Sequence, residues 1–106
     1  MWQILLVDED PESLAVLVRA CAPFASIRQA RTAAQACRLL TERTIHLVVL
    51  EHRLSDSPGL RLLATIKARQ PQLPVIMSTA CGSERVCASA LKLGARDYFI
   101  KPWVAS

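Results

Sequence analysis

Short apolar runs alternate along this chain with amphipathic stretches, and that alternation predicts the elements. Residues 3–7 form an apolar run of β-formers, and Pro11 suits the first turn of a helix. Leu14, Leu17, Val18 and Cys21 then recur at helical spacing, with Glu12 and Arg19 on the outer side, until Pro23 stops the helix. Residues 26–30 read as a half-polar strand suited to a sheet edge. Thr32 reads as an N-cap, with Ala33, Ala36, Cys37 and Leu40 on one face of a second helix. The strand predicted over 45–51 has no alternation at its centre, the pattern of a strand covered on both faces. A third helix follows over 59–70, with Leu62, Leu63 and Ile66 inward and Arg61 and Arg69 outward. Pro71 and Pro74 bracket the turn into a strand over 75–79. A fourth helix over 83–93 is closed by Gly94, and a last strand runs over 97–101.

Strands and helices alternating at these lengths predict an α/β domain, a parallel sheet wrapped on both faces. The chain stops at Ser106, shortly after its last strand. The expectation is one domain over 1–106 that ends before a final, fifth helix, its bare face covered by another molecule or by self-association. That leaves a homodimer as one outcome.

A length of 106 residues fits one domain, and 52% hydrophobic residues can fill a core without metal or disulfides. The longest apolar run, residues 14–18, is far short of the roughly 20 residues of a membrane span. No signal segment opens the chain, so a cytoplasmic location is expected. The four cysteines show no metal-ligand spacing and read as reduced, packed thiols. Net charge is +4, but the basic residues are scattered from Arg19 to Lys101, which argues against direct nucleic-acid binding. The acids behave differently: Asp8, Glu9, Asp10 and Glu12 crowd together near the start.

In an open parallel sheet the site lies outside the carboxyl ends of the strands. Those ends carry Asp8 and Glu9, then Glu51, then Ser78 and Thr79, then Lys101. Converging carboxylates, a hydroxyl and an ammonium suit a hard cation beside a phosphoryl-sized space. Other residues carry less. His46 and His52 lack a histidine partner at ligand spacing and read as solvent-facing or loop residues. Trp2 and Trp103 are expected to close the core. Tyr98 alone reads as a core or edge aromatic, and Cys81 lacks the neighbours that make a reactive thiolate. Arg85, Ser89 and Lys92 form a solvated face of the fourth helix.

The stretches "ILLVDEDP", "LVVLEHRLSDSPGL", "PVIMSTA" and "GARDYFIKP" give the chain a family resemblance. It resembles the receiver (CheY-like) domain of bacterial two-component response regulators, over its whole length except the end. The resemblance implies a flavodoxin-like, doubly wound five-stranded sheet of order 2-1-3-4-5. It implies that Asp8 and Glu9 match the acidic pair that binds magnesium, with Glu51 and the backbone carbonyl of Arg53 as further ligands. It places Glu51 at the phosphoacceptor position, and Thr79, Tyr98 and Lys101 at the switch and phosphoryl-contact positions. The peptide before Pro102 is expected to be cis. A histidine kinase or other signalling protein is the implied partner, with an output domain removed and no membrane involved.

Two departures change the expectation. Glu51 replaces an aspartate, and Ser55 replaces a proline. One extra methylene moves the carboxylate by roughly an ångström, and misplacement on that scale can cost about 100-fold in an in-line transfer. The sequence therefore predicts a receiver that is not phosphorylated at Glu51, a phosphomimetic or phosphorylation-independent switch in which Glu51 reaches Lys101. It also predicts weak magnesium binding, and at most a magnesium-dependent self-phosphorylation rather than an enzyme. The competing expectation is a working phosphoacceptor in a histidine-to-acid phosphorelay. A cofactor-binding flavodoxin reading fails, because "DEDPE" after the first strand would repel a phosphate.

Overall fold

The computed structural model describes residues 1–79 and 84–101. Strands β1 (Trp2–Val7), β2 (Ala25–Ala30), β3 (Leu47–Glu51), β4 (Val75–Thr79) and β5 (Asp97–Ile100) alternate with helices α1 (Pro11–Cys21), α2 (Ala33–Glu42), α3 (Gly59–Arg69) and α4 (Glu84–Lys92). All strand pairs are parallel, in the order β2-β1-β3-β4-β5. The expected flavodoxin-like order is therefore the observed one. Ser83, where the fourth helix was expected to begin, lies outside the described residues.

The apolar runs fold as they do because both faces of the central strands are covered. On one face Leu5, Val7, Val48, Leu50, Val75 and Met77 meet Ala33 and Ala36 of α2, Leu62, Leu63 and Ile66 of α3, and Ala90 of α4. On the other, Ile4, Leu6 and Val49 meet Leu14, backed by half-buried Leu17, Val18 and Cys21 of α1. Each large side chain taken fully from water contributes about 1.5–3 kcal/mol, so the sheet centre carries most of the stability. The edges are thinner: β2 is half-polar, and Phe99 and Ile100 of β5 are about half exposed, at 49% and 50%.

Local chemistry sets the helix ends. Asp10 caps α1, accepting from the Glu12 N–H at 3.2 Å and the Ser13 hydroxyl at 2.8 Å, with Pro11 in the first turn. Thr32 caps α2, as its sequence position predicts. Gly94 ends the fourth helical segment with a φ of 103°, a left-handed conformation that glycine adopts without strain.

One expectation needs correction. Trp2 does not close the core: it is 66% exposed and meets the His46 ring edge-on, centroids 5.1 Å apart. As the first residue of β1 it stands at the amino rim of the sheet, beyond the buried part of the strand. His46 is a half-buried loop residue just before β3, within the expectation for it. Its Nδ1 accepts the Gln3 N–H at 2.9 Å, while its backbone N–H donates to the Gln3 carbonyl at 2.8 Å, so it joins the strand-β1 backbone to the entry of β3. Trp103 and Cys81 lie outside the described residues. Cys21, Cys37 and Cys87 are free thiols, and burial raises the pKa of Cys21.

Candidate functional site

The site is assembled by four strand ends. Asp8 and Glu9 follow β1, Glu51 ends β3, Ser78 and Thr79 end β4, and Lys101 follows β5. Parallel register brings them to one level: Glu51 pairs with Ser78, and Thr79 with Ile100. The Lys101 N–H then donates to the Thr79 carbonyl at 2.9 Å, extending the ladder far enough to set its side chain over the sheet end.

Lys101 stands between two acids. Its Nζ is 2.5 Å from Asp8 Oδ2 and 3.1 Å from Glu51 Oε1, with the lysine side chain only 9% exposed. The second oxygen of each carboxylate turns to backbone. Asp8 Oδ1 accepts the Asp10 N–H at 2.9 Å. Glu51 Oε2 accepts the His52 N–H at 2.5 Å and the Arg53 N–H at 3.3 Å. Asp8 is 3% exposed and Glu51 5%, so both charges are buried, and both are paired and hydrogen-bonded as buried charges must be. Burial pulls the Lys101 pKa down, but hydrogen bonds to Asp8 and Glu51 and the charges of both acids outweigh it, and the ammonium ends above its ordinary value.

Glu9 behaves differently from Asp8. It is half-buried, and its Oε1 accepts the backbone N–H of Ser55 in the loop between β3 and α3. That loop needs Gly59, where a Cβ would lie 2.3 Å from the Glu51 carbonyl oxygen and 2.6 Å from the His52 Cα. The Gly59 N–H donates to the His52 carbonyl at 2.6 Å. Any side chain at Gly59 would push the start of α3 away from the backbone that carries Glu51.

The remaining site residues are placed as follows. Thr79 is buried at 1% exposure, at the end of β4. Tyr98 is half-buried and packs against the main core. Arg53 has an exposed side chain, and its N–H serves Glu51. The Pro102 peptide lies outside the described residues. Ser78, passed over in favour of Thr79, has a buried Oγ with no hydrogen-bond partner among the described residues, across the register from Glu51.

A family model for the response regulator receiver domain matches residues 4–106. The chain belongs to that family. This receiver is 37% identical over 99 residues to the response regulator protein PilR of Pseudomonas aeruginosa, covering 92% of this chain and 22% of that one. It is 35% identical over 100 residues to the transcriptional regulatory protein ZraR of Escherichia coli O157:H7, covering 93% of this chain and 23% of that protein. It thus spans less than a quarter of the length of these relatives. Among solved structures it superposes with a TM-score of 0.91 on the signal receiver domain of an HD domain-containing protein from Pseudomonas fluorescens Pf-5, at 32% identity over 97% of this chain and 84% of the other. Receivers are signalling modules of two-component systems, and this one contains no described helix long and apolar enough to cross a membrane.

Receivers typically bind magnesium in their acidic pocket. The donor types here suit a hard cation, but the arrangement does not. Lys101 holds the space between Asp8 and Glu51, and Glu9 is turned to Ser55. No group of three His, Cys, Asp or Glu side chains among the described residues could hold a metal ion.

The sequence named the ionic residues of this pocket but missed two that shape it. In the sequence Gly59 marks the start of the third helix, and the close approach it allows is a tertiary contact with no local signature. Asp56 carries no such signal either, although its carboxylate reaches α2.

Proposed function

We propose that this chain is a receiver module that signals without phosphorylation at Glu51, the glutamate and Lys101 together standing in for a phosphorylated aspartate. One observation carries the reading: Lys101 Nζ lies 3.1 Å from Glu51 Oε1, so the acceptor position is already engaged with the lysine. At an effective dielectric near 20, an ion pair about 4 Å apart attracts by roughly 4 kcal/mol, and desolvation offsets much of it. The net bias is small. It shifts a two-state equilibrium by that amount toward one arrangement of Thr79 and Tyr98. The mimicry is partial, because a phosphoryl group carries close to two charges and three acceptor oxygens.

Asp8, Glu9, Glu51 and the Arg53 carbonyl are the groups that would hold magnesium. It would bind only weakly, and only by displacing Lys101 from Asp8 and Glu51 and Ser55 from Glu9. The module works in the cytoplasm, takes its input from a histidine kinase or another signalling protein, and passes its conformation to an output domain of a longer product or to a second copy. The test is incubation with a small acyl phosphate and magnesium, followed by intact mass at neutral pH. No mass gain supports the proposal. A stable gain of one phosphoryl group mapped to Glu51 overturns it in favour of a phosphorelay acceptor.

A further inference from the structure

The first turn of α2 has more capping than one residue supplies. A helix leaves its first four N–H groups without intrahelical partners. Thr32 takes one of them in α2: its Oγ1 accepts from the Gln35 N–H at 3.1 Å, while its carbonyl accepts the Ala36 N–H at 3.1 Å as the first regular helical bond. Two more go to a carboxylate more than twenty residues away. Asp56 Oδ1 accepts the Ala33 N–H at 2.9 Å, and Oδ2 accepts the Ala34 N–H at 3.0 Å. Asp56 is exposed and belongs to the loop whose earlier members, His52 and Arg53, donate to Glu51.

We infer that Asp56 is a positioning residue, which fixes the loop between β3 and α3 against the N-terminus of α2 and so fixes the two backbone N–H groups that hold Glu51. The loop is pinned beyond Glu51's partners at two points: the Ser55 N–H bonds Glu9, and the Gly59 N–H bonds back to the His52 carbonyl. Between those pins, Asp56 supplies the link to a separate helix. A bidentate carboxylate at a helix N-terminus is favoured both by its charge-assisted hydrogen bonds and by the helix dipole. The N–H groups of Ala33 and then Ala34 hold the Asp56 carboxyl below its ordinary pKa, so the charged form is the bonded one. The state of the acceptor position is thereby coupled to α2, on the opposite side of the sheet order from β4 and β5.

The inference rests on reading Glu51 as the acceptor position, but amide exchange observes the loop itself, so its failure leaves the phosphodonor result untouched. The experiment is amide hydrogen exchange on the full chain, comparing Asp56→Asn with Thr32→Ala. Asp56→Asn keeps the shape and removes the charge; Thr32→Ala weakens the same helix end without touching the loop. Asp56→Asn should speed exchange about tenfold at Ala33 and Ala34 and also at His52, Arg53 and Ser55. Thr32→Ala should speed it at Gln35 only. Should Asp56→Asn fail to fold, Asp56→Glu, which keeps the charge and misplaces it by a methylene, carries the same comparison. If the loop amides stay protected when Asp56 is changed, or respond equally to Thr32→Ala, Asp56 is only a helix cap and the inference is overturned.

Discussion

The two ends of the sheet are tied together by opposite means. At the amino end His46 joins β1 to the entry of β3: its ring Nδ1 accepts the Gln3 N–H at 2.9 Å and its backbone N–H donates to the Gln3 carbonyl at 2.8 Å. There is no charge in that link, and Trp2 beside it stays largely exposed. At the carboxyl end the exits of the same two strands carry buried acids, and Lys101 reaches from beyond β5 to bridge them. The first tie brings no ion pair and costs little to satisfy. The second puts like charges side by side and is stable only while the ammonium is present. The same fold is thus held by uncharged bonds at its amino end and by a buried ionic network at its carboxyl end.

Lys101→Met should separate the two ends most strongly. It leaves Asp8 and Glu51 buried with no counter-charge, and breaking a buried ionic network in this way costs about 3–5 kcal/mol. Urea unfolding at neutral pH measures it; a loss well under that range would mean that the two acids are neutralised by some other route. Gly59→Ala comes next. Its Cβ would meet the rigid Glu51 carbonyl, and overpacking of this kind costs typically 1–3 kcal/mol. The same denaturation curve should show that loss, together with weakened protection of the Arg53 amide. At the other end, His46→Ala leaves the Gln3 N–H without its acceptor and should cost about 1 kcal/mol. Exchange at Gln3 should rise while the Lys101 region stays as it was.

Acid gives the smallest effect. Asp56 has its folded-state pKa held below 3.8, so the stabilisation it brings is fully present above pH 3.8 and is lost as the pH falls through the lower folded value. Protection of the Ala33 and Ala34 amides should therefore drop in that acid window, and the step should be missing from Asp56→Asn. An identical acid step in Asp56→Asn would assign it to another carboxyl.

Much of this was legible along the chain. The runs at β1, β3 and β4 declare a parallel sheet because strands covered on both faces need no alternation, and the turn and cap residues Pro11, Thr32 and Gly94 mark helix ends for local reasons. The acids at Asp8 and Glu51 and the base at Lys101 could be placed together because strand order alone determines where strand ends meet. What stayed hidden depends on distance in space. His46 bonds to Gln3 and Asp56 to α2 across loops whose path no local pattern records. Trp2 differs from its expectation because size suggests burial, while its place at the rim of the sheet puts it before the buried part of β1. The turn of Glu9 toward Ser55 is likewise a choice of rotamer, set by a backbone N–H that the sequence does not reveal as free.

The central claim is that Glu51 and Lys101 already hold the arrangement that phosphorylation would otherwise produce. The direct measurement compares backbone amide spectra of the wild-type chain with those of Glu51→Asp, before and after treatment with a small acyl phosphate and magnesium. The aspartate variant should accept the phosphoryl group, and its treated spectrum should approach the untreated wild type at Thr79, Tyr98 and Lys101. If the untreated wild type instead matches the untreated Glu51→Asp variant at those residues, Glu51 marks a receiver that has lost its switch rather than one held in the switched state.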